Sequence, residues 1–231
     1  MNKIFNFEGP VFSFLSRLAD LFWLNLLFII CCIPVITVGA AGTALYYVTL
    51  KMAKDEEGYI TKSYFKSFKD NFLQATAIWV LILVIVAILL TDLRIANGGN
   101  VAGIFNDPSV SSVVIVAVGV MAIVILMTLT YVFPLLAQFD NTVFNTVKNA
   151  FLISIRHLPY TFLMIVTNLI PVALIWFSPA LLILVLIMFS ATAYINSKSL
   201  NKIFVLYMPK DKEQEDAVGS AEDIDGEDRK E

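Results

Sequence analysis

Four stretches of this chain contain no Asp, Glu, Lys or Arg: 21–50, 74–91, 110–139 and 158–197. A helix needs about 20 consecutive apolar residues to cross the hydrocarbon core of a bilayer. Each stretch therefore holds at least one crossing, and the longest holds two. Composition agrees, because the chain is 58% hydrophobic and 15% charged. A water-soluble domain has about 45–50% apolar and about 25% charged residues. Folded in water, this chain would lack the polar material to cover its surface. The expected fold is all-α, a polytopic helical membrane bundle of five to six segments.

Gln74 to Thr91 (QATAIWVLILVIVAILLT) makes one span, about 74–91. The run 110–139 would be about 45 Å long at about 1.5 Å per residue. That exceeds one bilayer thickness, so this helix (about 110–136) should tilt or project, and Pro134 is expected to bend it near its end. The run 158–197 fits two spans, about 159–177 and 180–197, folded at Phe177-Ser178-Pro179-Ala180, where Ser-Pro offers a turn.

The first run, 21–50, is too long for one straight span and too short for two. Either one kinked helix crosses, or a helix over about 11–33 stops at Pro34 and a second, about 37–53, returns. Pro34 disfavours helical geometry at Ile33 and removes a backbone donor, and Thr37 is an acceptable N-cap. The broken form is preferred. Gly39 and Thr43, like Ala40 and Ala44, stand four apart. With Gly42 they form a small-residue stripe that lets another helix approach closely. Helix ends broken at membrane depth also serve as ligand sites. Close packing is the preferred reading.

Loop charge gives sidedness. Lys51, Lys54, Lys62, Lys66 and Lys69 lie in 51–73, Lys148 and Arg156 in 138–157, and Lys198 and Lys202 after the last span. The 92–109 loop has only Arg94. Lysine-rich loops stay in the cytoplasm. This places 51–73, 138–157 and the C-terminus inside, and 92–109, with its Asn97–Asn100 NGGN stretch, outside. The N-terminus is cytoplasmic if the first run is broken and external if it is not. No cleaved signal peptide is expected, because no basic region leads directly into an apolar core. The tail 208–231 is acidic; from Pro209 on it has ten acids and four bases. It has too little apolar surface to offset ordering entropy and is expected to be disordered.

Tyr59 to Leu73 reads YITKSYFKSFKDNFL. At helical spacing Tyr64, Phe65, Phe68 and Phe72 share one face, with Lys62, Lys66 and Lys69 on its flank. This pattern suits a helix in the headgroup region, leading into the next span or meeting lipid or a cytoplasmic partner. A weak duplication is also visible. Phe65, Asn71 and Phe72 have counterparts Phe151, His157 and Leu158 86 positions on. Such repeats occur in transporters and in plain bundles.

Catalytic chemistry is hard to place. The single histidine, His157, lies at a span edge. No metal-binding helix motif, nucleophile elbow, phosphate-cradling loop or paired intramembrane carboxylates occur. Arg17 and Asp20, three apart, are the one pair that could be drawn inward. Cys31 and Cys32 read as small packing residues. Asn25, Thr43, Asn168 and Asn196 read as interhelical hydrogen-bonding groups. No cofactor, metal or nucleic acid is expected, and the oligomeric state is open.

The stretches LADLFWLNLLFIICCIPVITVGAAGTALYYV (Leu18 to Val48) and YFKSFKDNFLQA (Tyr64 to Ala75) resemble the YesL-like family, bacterial integral membrane proteins with a domain of unknown function. The resemblance implies a plasma-membrane location in mostly Gram-positive bacteria. It also implies an accessory role in carbohydrate uptake, beside ABC transporter subunits and their sensor kinases. It supplies no catalytic or binding residues. AFLISIRHLP (Ala150 to Pro159) is similar to the loop by which importer permeases grip their ATPase, but the glycine expected upstream is missing. An accessory protein is therefore preferred to a permease-like subunit, and an enzyme ranks third.

Overall fold

A computed structural model describes residues 10–56, 58–96, 108–177 and 182–208. Among these residues lie eight α-helices and no strand: α1 Pro10–Cys32, α2 Val38–Met52, α3 Ile60–Asp70, α4 Phe72–Ala96, α5 Pro108–Gln138, α6 Val143–Arg156, α7 Leu158–Phe177 and α8 Leu182–Phe204. Single 3-10 turns, Val35–Thr37 and Val205–Tyr207, follow α1 and α8. Four segments are long and apolar enough to cross a membrane: Ser13–Cys32, Val35–Met52, Phe72–Ala96 and Ser111–Gln138. A fifth appears if α6 and α7, bent by 106°, count as one unit. This is the all-α polytopic bundle expected from the uncharged runs.

The first run is two helices, and the break falls at Pro34. α5 continues through Pro134 to Gln138. One element departs from expectation. Residues 138–157, read as a basic loop, contain the four-turn helix α6. Its inward positions Thr146, Ala150 and Ile153 follow helical spacing but are too few and too small to stand out among the polar residues between them. The NGGN stretch, Ser178–Ala180 of the proposed turn, and the acidic tail from Pro209 fall outside the described residues.

α2 is the axis of the bundle, touching α1, α3, α4, α5 and α8. Its small residues Ala40, Ala41 and Ala44 are fully buried, as is Met52, and Leu45, Val48 and Leu50 nearly so. α1 runs antiparallel to α8: Arg17 donates to the Tyr194 hydroxyl at 2.8 Å, while eight residues on Asn25 Oδ1 accepts from the Ser190 amide at 3.0 Å. α2 runs parallel to α8, with Ser197 donating to Thr49 at 2.9 Å and Asn201 to the Leu50 carbonyl at 3.1 Å.

α4 and α5 show how the outside is solvated. The end of α5 nearest the core, Tyr131 to Leu136, is buried. Val113, Val116, Val120 and Ile123 farther up α5, with Leu81, Val84 and Ile88 on α4, are exposed. A protein in water rarely leaves so continuous an apolar surface open. Hydrocarbon is the solvent that leaves it without cost, so burial here follows packing rather than hydrophobicity.

Candidate functional site

The elbow between α1 and α2 is built by Pro34, which sits in extended geometry (φ −75°, ψ 119°). Ending a helix frees carbonyls that cannot stay unpaired at membrane depth. Thr37 supplies the remedy. Its hydroxyl donates to the Cys31 carbonyl at 2.6 Å and the Pro34 carbonyl at 2.7 Å. Thr37 is the N-cap residue of α2, as expected, but its hydroxyl serves the elbow rather than the first turn of the helix. Thr37 already has helical angles (φ −91°, ψ −2°) because the 3-10 turn precedes it, and it makes no side-chain cap bond to α2. Trp79 of α4 completes the elbow, its indole N–H donating to the Val35 carbonyl at 2.7 Å.

Past the elbow, α2 meets α4 at Gly39. A Cβ built there would stand 2.5 Å from the Ala75 carbonyl oxygen and 2.8 Å from Trp79 Cβ, so only glycine fits. Ala40 and Ala44 are fully buried on the same helix, and Thr43 returns its hydroxyl to the Gly39 carbonyl at 2.9 Å. Gly42 differs: a Cβ there would reach only the Phe133 ring, at 4.0 Å. Close approach thus belongs to Gly39 and the alanines.

α3 turns most of its aromatic face inward. Tyr64 is fully buried and makes a long hydrogen bond, 3.4 Å, to the Ala41 carbonyl. Burial holds its phenol well above the usual tyrosine range. Phe68 stacks on it with centroids 6.4 Å apart, and Phe72 meets Phe68 at 5.5 Å. Phe65 is exposed, as are Lys62, Lys66 and Lys69. Tyr64 and Phe68 form the seam joining α3 to the α1–α2 core, Phe72 packs against the cluster that holds Ala75 and Ile78, and Phe65 stays outward beside the lysines. Tertiary packing has claimed part of the aromatic face, and α3 leads into α4 after one residue, as an elbow helix would.

Arg17 likewise finds another partner. It pairs with Asp55 and Tyr194, not with Asp20. Asp55 is in reach because it takes a left-handed conformation (φ 60°) just past the end of α2. The pair ties the start of α1 to the α2–α3 connection. Both side chains are substantially exposed, 40% for Arg17 and 72% for Asp55, so the pair lies on the surface of the bundle rather than in its core.

Two open grooves meet where the connections gather. One, of about 910 Å³, lies between the α3–α4 junction and the α5–α6 turn and is lined by Asp70, Asn71, Gln74, Asn141 and Asn145. The other, of about 840 Å³, lies between the end of α5, α6 and the terminal 3-10 turn; Phe139, Asn149, Arg156 and Tyr207 line it. Gln138, Asp140 and Asn141 belong to both. The two junctions are built alike. Asn71 closes α3 one residue before α4, and His157 closes α6 one residue before α7. The duplication thus has a structural counterpart, a short amphipathic helix turning into an apolar one. His157 Nε2 lies 3.2 Å from the Tyr207 hydroxyl, and the Arg156 guanidinium 5.8 Å from the Tyr207 ring centre.

Several interior polar groups are neutral and paired across helices. Asn196 of α8 donates to Asn168 at 2.9 Å and accepts from Thr167 at 2.7 Å; the Tyr46 hydroxyl joins Asn196 and Asn168. Such an arrangement fixes helix register and offers no group to exchange a proton near neutral pH. Among the described residues no group of three or more His, Cys, Asp or Glu is placed to hold a metal. Sequence reasoning missed three features: α6, the Trp79 lock and the Arg17–Asp55 pair. Trp79 gave no signal, because a tryptophan in an apolar run looks like any lipid-facing one.

Residues 21–93, from α1 to the last turns of α4, match the family model described as Protein of unknown function, DUF624. No curated protein and no solved structure matches the chain. The matched third of the chain contains the elbow, the Gly39 contact and α3, the same segments that carry the YesL-like resemblance. Residues 21–93 thus match the DUF624 model, which also describes YesL-like proteins, and they lie within a larger helical membrane bundle.

Proposed function

We propose that this is a non-enzymatic, multi-pass protein of the plasma membrane that serves as an accessory or regulatory component of carbohydrate uptake. It would receive a partner, an ABC transporter subunit or a sensor kinase, on the end of the bundle where the grooves meet. The supporting observation is the placement of those grooves. They open among the connections that carry exposed Lys62, Lys66, Lys69, Lys148 and Arg156. By the positive-inside rule this end faces the cytoplasm, where an importer's ATPase and a kinase domain reside. The same rule puts the 92–109 connection outside.

The alternative is a permease-like subunit. It draws on the two matching helical junctions, since internal repeats are common in transporters. Affinity purification of the intact protein from native membranes in mild detergent separates the two. The accessory reading expects transporter subunits or a kinase to co-purify. It fails if the protein always purifies alone and moves solute when reconstituted into liposomes.

A further inference from the structure

We propose that α6 lies in the membrane surface and that its exposed stripe, with Lys148 and Arg156, binds anionic phospholipid headgroups. The argument starts from the bend. α6 turns by 106° into α7, so if α7 crosses the bilayer, α6 runs nearly parallel to its plane at the edge. At 100° per residue, Phe144, Phe151, Ile155 and Leu152 fall within an arc of about 100°, with Lys148 among them and Arg156 on the flank. All six are exposed, Phe144 to 76%, while the opposite face, Thr146, Ala150 and Ile153, is buried against the bundle. The stripe runs on along the chain into Leu158 and Phe162, exposed in the first turns of α7.

A helix with one face on protein and an apolar, basic face outward matches the chemistry of a leaflet boundary. Acyl chains take the rings and methyls, and long cationic side chains reach up to phosphates. The comparison with α3 sharpens this. Its aromatic face is spent on Tyr64 and Phe68 packing inside the protein, whereas α6 keeps its own open. α6 thus offers the broader apolar and basic face of the two, α3 exposing only Phe65 beside its lysines.

The test uses the full chain in nanodiscs with Phe151→Trp, and separately Phe144→Trp, each checked for a monodisperse elution profile. Fluorescence is read in brominated phosphatidylglycerol and in brominated phosphatidylcholine, with the unsubstituted protein giving the background of the native tryptophans. The expected result is that the added tryptophan is quenched in both lipids and more strongly in the anionic one. Lys148→Gln with Arg156→Gln should then reduce the anionic preference by about fivefold per charge removed. Absence of quenching at both positions overturns the proposal, and a doubled particle mass would then assign the face to a second copy of this chain. Quenching that is equal in the two lipids overturns the headgroup assignment.

Discussion

Gly39 and Ala75 bring α2 and α4 together so closely that a single methyl group would collide with a backbone oxygen, 2.5 Å from where its carbon would sit. A backbone atom cannot swing aside as a side chain can, so the helices themselves would have to part. Between helices in lipid there is little hydrophobic drive, and the energy comes from packing at short range. A forced separation therefore weakens many contacts at once, including the Trp79 bond to the elbow.

Gly39→Ala should destabilise the fold by about 1–3 kcal/mol, the usual cost of overpacking. Gly42→Ala should be neutral or stabilising by up to about 1 kcal/mol, since it relieves helical glycine and meets only ordinary contact with Phe133. Thermal unfolding in detergent, followed by loss of monodispersity, measures both. Equal loss in the two variants would contradict the α2–α4 contact.

Trp79→Phe keeps an aromatic ring near Phe133, whose centroid lies 6.2 Å away. It removes the N–H on the Val35 carbonyl at 2.7 Å, together with the indole's second ring. The expected loss is about 0.5–1.5 kcal/mol. Faster backbone hydrogen exchange should appear at Val35 to Thr37 and spread less into the body of α4.

How much of this was legible follows from what each signal depends on. Spans are legible because a run without charge has one solvent it tolerates, so α1, α2, α4 and α5 could be bounded to within a few residues. The break at Pro34 was legible because proline's missing donor is a local fact. The use made of the break was not, because Thr37 can accept or donate and only the preceding 3-10 turn decides which. Tyr64 and Phe144 show the deeper limit. Both are aromatic residues of amphipathic helices, yet one is fully buried and the other largely exposed. Periodicity identifies a face, and only the neighbouring helices decide whether protein or lipid meets it.

Asn196 sits between Thr167 and Asn168, two residues of α7, and the Tyr46 hydroxyl of α2. Asn196→Leu should strand these partners in a low-dielectric interior. Interhelical hydrogen bonds in membranes are individually modest, about 0.6 and up to about 1.7 kcal/mol. Loss of three at one residue should bring the variant to about 1–3 kcal/mol below the parent. Asn168→Leu should cost less, and the double variant less than the sum, because the two share a bond. Unfolding midpoints of the four proteins complete the cycle.

Tyr64 carries a pH dependence whose sign follows from its burial. Its phenol sits above the tyrosine range when folded, because the charged phenolate would lose its hydration on the α2–α3 seam. In the unfolded chain it returns to about 10. The folded protein therefore holds a proton that the unfolded chain releases, and stability conferred by the neutral phenol is complete below pH 10. Above that it falls, by at most about 1.4 kcal/mol per pH unit from this one group. Tyr64→Phe keeps the ring and gives up only the long bond to Ala41, 3.4 Å, so at neutral pH it should cost under about 1 kcal/mol. Between pH 10 and 11 the variant should lose less stability than the parent, and the difference isolates Tyr64 from the other tyrosines. Parallel pH curves for the two proteins would mean that Tyr64 reaches water, and that α3 is not seated on α2 by its aromatic face.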